Sequence, residues 1–77
     1  MARDLEILKN QLQNQAKTPK QKQAVIEVAM AEDEAKAKNG PKMIEYLKKG
    51  GKWTLDTATE IGTNVAAEVI KKALLGP

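Results

Sequence analysis

A chain of 77 residues with 42% hydrophobic and 30% charged side chains reads as one small domain, because separate cores arise only in chains well above ~150 residues. With no Cys and no His, it has no means to form a disulfide, a thiolate nucleophile, a His-based zinc site or an imidazole proton shuttle. One Trp, one Tyr and no Phe leave an aliphatic, alanine-rich core, which favours closely packed helices, and the net charge is +3.

The first helix is predicted over residues 4–16, where Leu5, Leu8 and Leu12 recur at helical spacing and Ala16 continues the row. Asp4 and Glu6 suit the positive end of its dipole. Thr18-Pro19 reads as an N-cap followed by Pro at the first helical position, where the missing N–H costs nothing. From there a second helix is expected over 19–38. Ala24, Val28, Ala31 and Ala35 lie on one line, and Val25, Ile26, Ala29 and Met30 widen the stripe. Lys20 and Lys22 oppose the dipole at its start, and Lys36 and Lys38 suit its end.

Asn39-Gly40-Pro41 is a stop, with Asn or Gly supplying a left-handed C-cap. A short third helix follows over 41–49, with Met43, Ile44 and Leu47 inward, and Gly50-Gly51 ends it. Residues 53–75 carry the longest apolar periodicity: Ala58, Ile61, Gly62, Val65, Ala66, Val69, Ile70, Ala73 and Leu74. They predict one long amphipathic C-terminal helix, capped by Thr54, closed by Gly76-Pro77, and organising the other three. The expected fold is thus an all-α, small four-helix bundle spanning residues 1–77.

Chemistry-bearing patterns are few. Gly50-Gly51-Lys52 lacks the preceding strand and the spacing of a phosphate-binding loop, so it reads as a turn. Glu32-Asp33-Glu34 are successive on a helix and point about 100° apart, so they cannot converge on one metal or substrate atom. They read as a solvated face, with Glu32 pairing Lys36 and Glu34 pairing Lys38. No catalytic, cofactor or metal constellation can be assembled, and no small-molecule substrate or enzymatic activity is expected.

Partners are better indicated than reactions. Residues 36–52 hold Lys36, Lys38, Lys42, Lys48, Lys49 and Lys52 against Glu45 alone. Lys42, Lys48, Lys49 and Lys52 make a basic patch able to attract an acidic protein, a lipid surface or a nucleic acid backbone. Sequence-specific DNA reading is disfavoured because Arg3 is the single Arg available for bidentate contacts to guanine. Trp53 reads as a lid on the core, as a partner hot spot or as an interfacial membrane anchor beside Lys48, Lys49 and Lys52, decided by its exposure. Ala58, Gly62 and Ala66 are small residues one turn apart, flanked by Ile61, Val65, Val69 and Ile70, which suits the docking of a neighbouring helix or a partner. The expected partner contacts are Trp53, Leu55, Ile61, Gly62, Val65 and Ile70.

The stretch Tyr46-Leu47-Lys48-Lys49-Gly50-Gly51-Lys52-Trp53-Thr54-Leu55-Asp56, with Ala58, Ile61-Gly62 and Ala66 through Leu75, resembles helical C-terminal tails of bacterial, notably cyanobacterial, signalling and conflict-system proteins. The resemblance covers residues 46–75 and implies an effector-associated interaction module with no catalytic motif. The combined expectation is a non-enzymatic adaptor or regulatory module that acts by helix docking or self-association, without cofactor. Two alternatives stand beside it: a membrane-active cationic amphipathic protein, and a non-specific nucleic-acid binder using the Lys-rich third helix. Without a long apolar run or a signal-peptide core, a cytoplasmic location is expected.

Overall fold

A computed structural model describes residues 2–75. It contains four helices and no strand among those residues: α1 (Ala2–Gln15), α2 (Pro19–Lys36), α3 (Gly40–Glu60) and α4 (Asn64–Leu75). Their inward faces meet in an aliphatic core. Leu5, Leu8 and Leu12 of α1, Val28 of α2, Leu47 of α3 and Ile70 of α4 are all fully buried. Each such side chain contributes about 1.5–3 kcal/mol of burial free energy. The centre of the bundle is α3, which packs chiefly on α2 and α4, while α1 lies against α2.

The residues at the chain's turns explain the boundaries. Thr18 caps α2 through a reciprocal pair: the Gln21 N–H donates to Thr18 Oγ1 at 3.1 Å, and the Thr18 N–H donates to Gln21 Oε1 at 3.4 Å. At its far end α2 stops at Lys36, earlier than the expected 38, and Lys38 takes the left-handed conformation (φ 60°). The Lys38 N–H donates to the Ala35 carbonyl and the Asn39 N–H to the Glu34 carbonyl, the two bonds of a Schellman cap. Asn39 is thereby freed to cap α3, accepting from the Lys42 N–H at 3.3 Å. The left-handed position thus falls on a lysine rather than on Asn39 or Gly40.

Gly51 interrupts α3 with φ 74° and ψ −167°, a backbone conformation essentially reserved for glycine. Two helical stretches meet there across a kink, so the expected stop at Gly50-Gly51 is a real break in the helix, and α3 denotes both stretches together.

The expected single helix over 53–75 is corrected. Residues 61–63 form a turn, Gly62 has φ 81°, and the last helix is only 12 residues long. A second Schellman cap closes α3 here: the Gly62 N–H donates to the Thr59 carbonyl and the Thr63 N–H to the Ala58 carbonyl. The Thr63 hydroxyl also donates to the Ala58 carbonyl, at 2.9 Å. That hydroxyl finishes α3 and leaves the first N–H groups of α4 to be met from elsewhere. Asp4 of α1 does so, its Oδ2 accepting from the Ala66 N–H at 3.4 Å. A helix N-terminus welcomes this carboxylate electrostatically. The expected close at Gly76-Pro77 lies outside the described residues.

Candidate functional site

The bend at Gly51 brings the start of α2 against the middle of α3 and leaves a cleft of about 390 Å³ between them. Its α2 wall is Lys20, Gln21, Gln23 and Ala24, and its α3 wall is Lys49, Gly50, Gly51, Lys52 and Trp53. Three ammonium groups and two carboxamides therefore surround one concavity, and no carboxylate lines it. The Lys49 Nζ sits 5.4 Å from the centroid of the Tyr46 ring, which tethers that cation near the surface of α3.

Two glycines shape the floor. At Gly50 an added Cβ would stand 2.8 Å from Thr54 Oγ1, and the Thr54 hydroxyl donates to the Gly50 carbonyl at 2.9 Å. Glycine is needed there for the close approach. Gly51 is needed for its backbone angles, since nothing lies within 4 Å of a Cβ at that position. Trp53 follows the bend, half-buried, with one side packed against the core and the other in the cleft wall.

The sequence-predicted contact residues do not form one surface. Trp53 lines the cleft, Leu55 and Ile61 pack half-buried against the core, and Gly62 is exposed in the turn before α4. Val65 is 57% exposed on the outside of α4, whereas Ile70 is fully buried in the core. Ile70 is thus a structural residue, turned inward by the apolar face of α4. Of the basic patch, Lys49 and Lys52 line the cleft, while Lys42 and Lys48 are exposed away from its lining. Ala58 and Ala66 are both buried but belong to different helices, so the row of small residues is divided by the turn at Gly62.

Sequence reasoning missed two features. Lys20 belongs to the cleft, although its position at a helix start suggested only a dipole conflict. Glu32 is nearly fully buried instead of solvated, held by Lys9 at 2.7 Å and by Lys36 at 3.1 Å. The Lys9 hydrogen bond holds the Glu32 carboxyl below its usual pKa against the opposing effect of burial, with Lys36 adding to the depression. Lys36 is correspondingly held above its ordinary value by Glu32. The Lys36 pair is readable at i, i+4; the partner on α1 is not. The expected Glu34–Lys38 pair is absent among the described residues, because Lys38 has left the helix.

No helix of the described residues is long and apolar enough to cross a membrane. Comparison of the chain with models of protein families, with curated proteins and with solved structures finds no match.

Proposed function

We propose that the protein is a non-enzymatic interaction module that docks an acidic segment of a partner protein in the cleft between the start of α2 and the bend of α3. The observation that carries this reading is the grouping of Lys20, Lys49 and Lys52 with the half-buried Trp53 around one concavity without a carboxylate. Ammonium groups steer and hold acidic side chains, and an indole face offers the apolar contact that concentrates binding energy. Lysine is a flexible point charge without the fork that reads bases, which disfavours sequence-specific reading of a nucleic acid, and the Trp53 titration separates an acidic polypeptide from phosphate binding. An adaptor role is also what the resemblance of residues 46–75 implies.

The membrane alternative draws no support, since it relied on a continuous amphipathic rod over 53–75 whose apolar side is now occupied by Ala66, Ile70 and Ala73 packing inward. Trp53 emission provides the test. Titration with a glutamate-rich peptide carrying one leucine should shift the emission and saturate, and Lys49→Gln with Lys52→Gln should abolish the response. A response to anionic vesicles or single-stranded DNA but not to the peptide would refute the reading.

A further inference from the structure

The outward side of α2 is a second surface, which borders the cleft at Gln23. Ala24, Val28 and Ala31 face the core. At about 100° per residue, Ile26 and Met30 fall on the opposite side, and they are 53% and 42% exposed. Pro19, Lys22, Gln23, Asp33 and Ala37 surround them and are exposed as well. Charge along this stripe is ordered, with Lys22 toward the N-terminus and Asp33 and Glu34 toward the C-terminus. None of those three takes part in an ion pair among the described residues.

We infer that a second copy of this chain covers this stripe, the two α2 helices running antiparallel about a twofold axis near Val28. Such an axis reverses helix direction, keeps each residue on its own flank, and pairs positions whose numbers sum to about 56. Ile26 then meets Met30 of the second copy. Lys22 meets its Asp33, and Gln23 approaches its Glu34. The flanks agree independently: helical spacing puts Lys22 and Asp33 on one side of the Ile26–Met30 row and Gln23 and Glu34 on the other. A parallel twofold swaps the flanks and sets Asp33 against Glu34 of the second copy and Lys22 against its Gln23, so the charge order selects the antiparallel pairing. One helix per side covers less than the ~800 Å² per partner of a standard interface, which places the pairing among weak complexes, with an expected dissociation constant on the order of 0.1–1 mM.

Sedimentation equilibrium across a concentration series tests the pairing with the intact chain. The wild type should rise toward twice its monomer mass. Asp33→Lys and Lys22→Asp should each raise the dissociation constant about tenfold, because two exposed pairs turn from attractive to repulsive. The double variant Lys22→Asp/Asp33→Lys should return to within about threefold of wild type, its pairs being restored in reverse. Both single changes are exposed and suit the helix dipole, so circular dichroism should show the fold intact. A spin label on Ala37→Cys, in a chain with no other Cys, should report two labels offset by about 27 Å along the paired helices. A strict monomer to about 2 mM, association indifferent to the charge variants, a double variant weaker than either single, or labels in contact would each overturn the inference.

Discussion

Replacing Gly51 by alanine isolates the backbone cost of the bend in α3, because the added methyl group meets nothing within 4 Å beyond its chain neighbours and the adjoining backbone of its own helix. With φ 74° and ψ −167° the residue occupies a region where an L side chain costs about 1–3 kcal/mol. Alanine also narrows the unfolded ensemble, which returns about 0.4–1 kcal/mol. The net expectation is a loss of about 1–2 kcal/mol, or roughly 4–15 °C in Tm for a domain of this size. Gly40 supplies the control. It has an ordinary φ at the first turn of α3 but precedes Pro41, where a Cβ disfavours the helical region and offsets the gain from a narrower unfolded ensemble, so Gly40→Ala should change stability by less than about 0.5 kcal/mol. Gly62→Ala, at φ 81° in the Schellman cap, should lose about 1 kcal/mol. Urea unfolding followed by circular dichroism at constant m-value separates the three. If Gly51→Ala left stability unchanged or raised it, α3 would be a continuous helix in solution and the cleft built on its bend would not exist.

Three further outcomes follow from the same geometry. Glu32→Ala should cost about 1–3 kcal/mol, because Lys9, partly enclosed, loses its acceptor. Because the folded Glu32 carboxyl lies below its ordinary pKa of 4.5, its contribution is full above pH 4.5 and fades as pH falls through the depressed value; Glu32→Gln should flatten that acid limb of stability against pH. Lys38→Gly should stabilise by about 1 kcal/mol, since glycine takes the left-handed C-cap position without the Cβ penalty; a melting temperature at or below wild type would argue against the Schellman cap. Asp4→Ala should cost about 0.5–1 kcal/mol and quicken hydrogen exchange at the Ala66 amide, while unchanged exchange would remove Asp4 as the cap of α4.

Elements with local signals were legible in the chain. Leu5, Leu8 and Leu12 mark the buried side of α1, and Thr18-Pro19 marks the start of α2, because caps and apolar periodicity act within a few residues. The division of the last segment was obscured for a physical reason. A three-residue turn at Ile61-Gly62-Thr63 nearly preserves the helical phase, so Ala58 before it and Ala66 and Ile70 after it face the same core. Gly62 then reads as a small packing residue instead of the left-handed stop it is, and the error carried Ile70 outward into the expected contact surface. Lys49, Lys52 and Trp53 were found as neighbours in sequence. Their grouping with Lys20 depends on the packing of α2 on α3, as the burial of Glu32 depends on Lys9 from α1. Neither tertiary pairing leaves a periodic trace.

Chemical-shift mapping of the ¹⁵N-labelled protein with the glutamate-rich peptide reads the location of binding residue by residue. Docking in the cleft predicts saturable shifts concentrated at the amides of residues 20–24 and 49–53 and at the Trp53 indole N–H, diminishing as salt is raised. Shifts centred on Lys71 and Lys72, or spread evenly over all lysine-bearing surfaces, would contradict it.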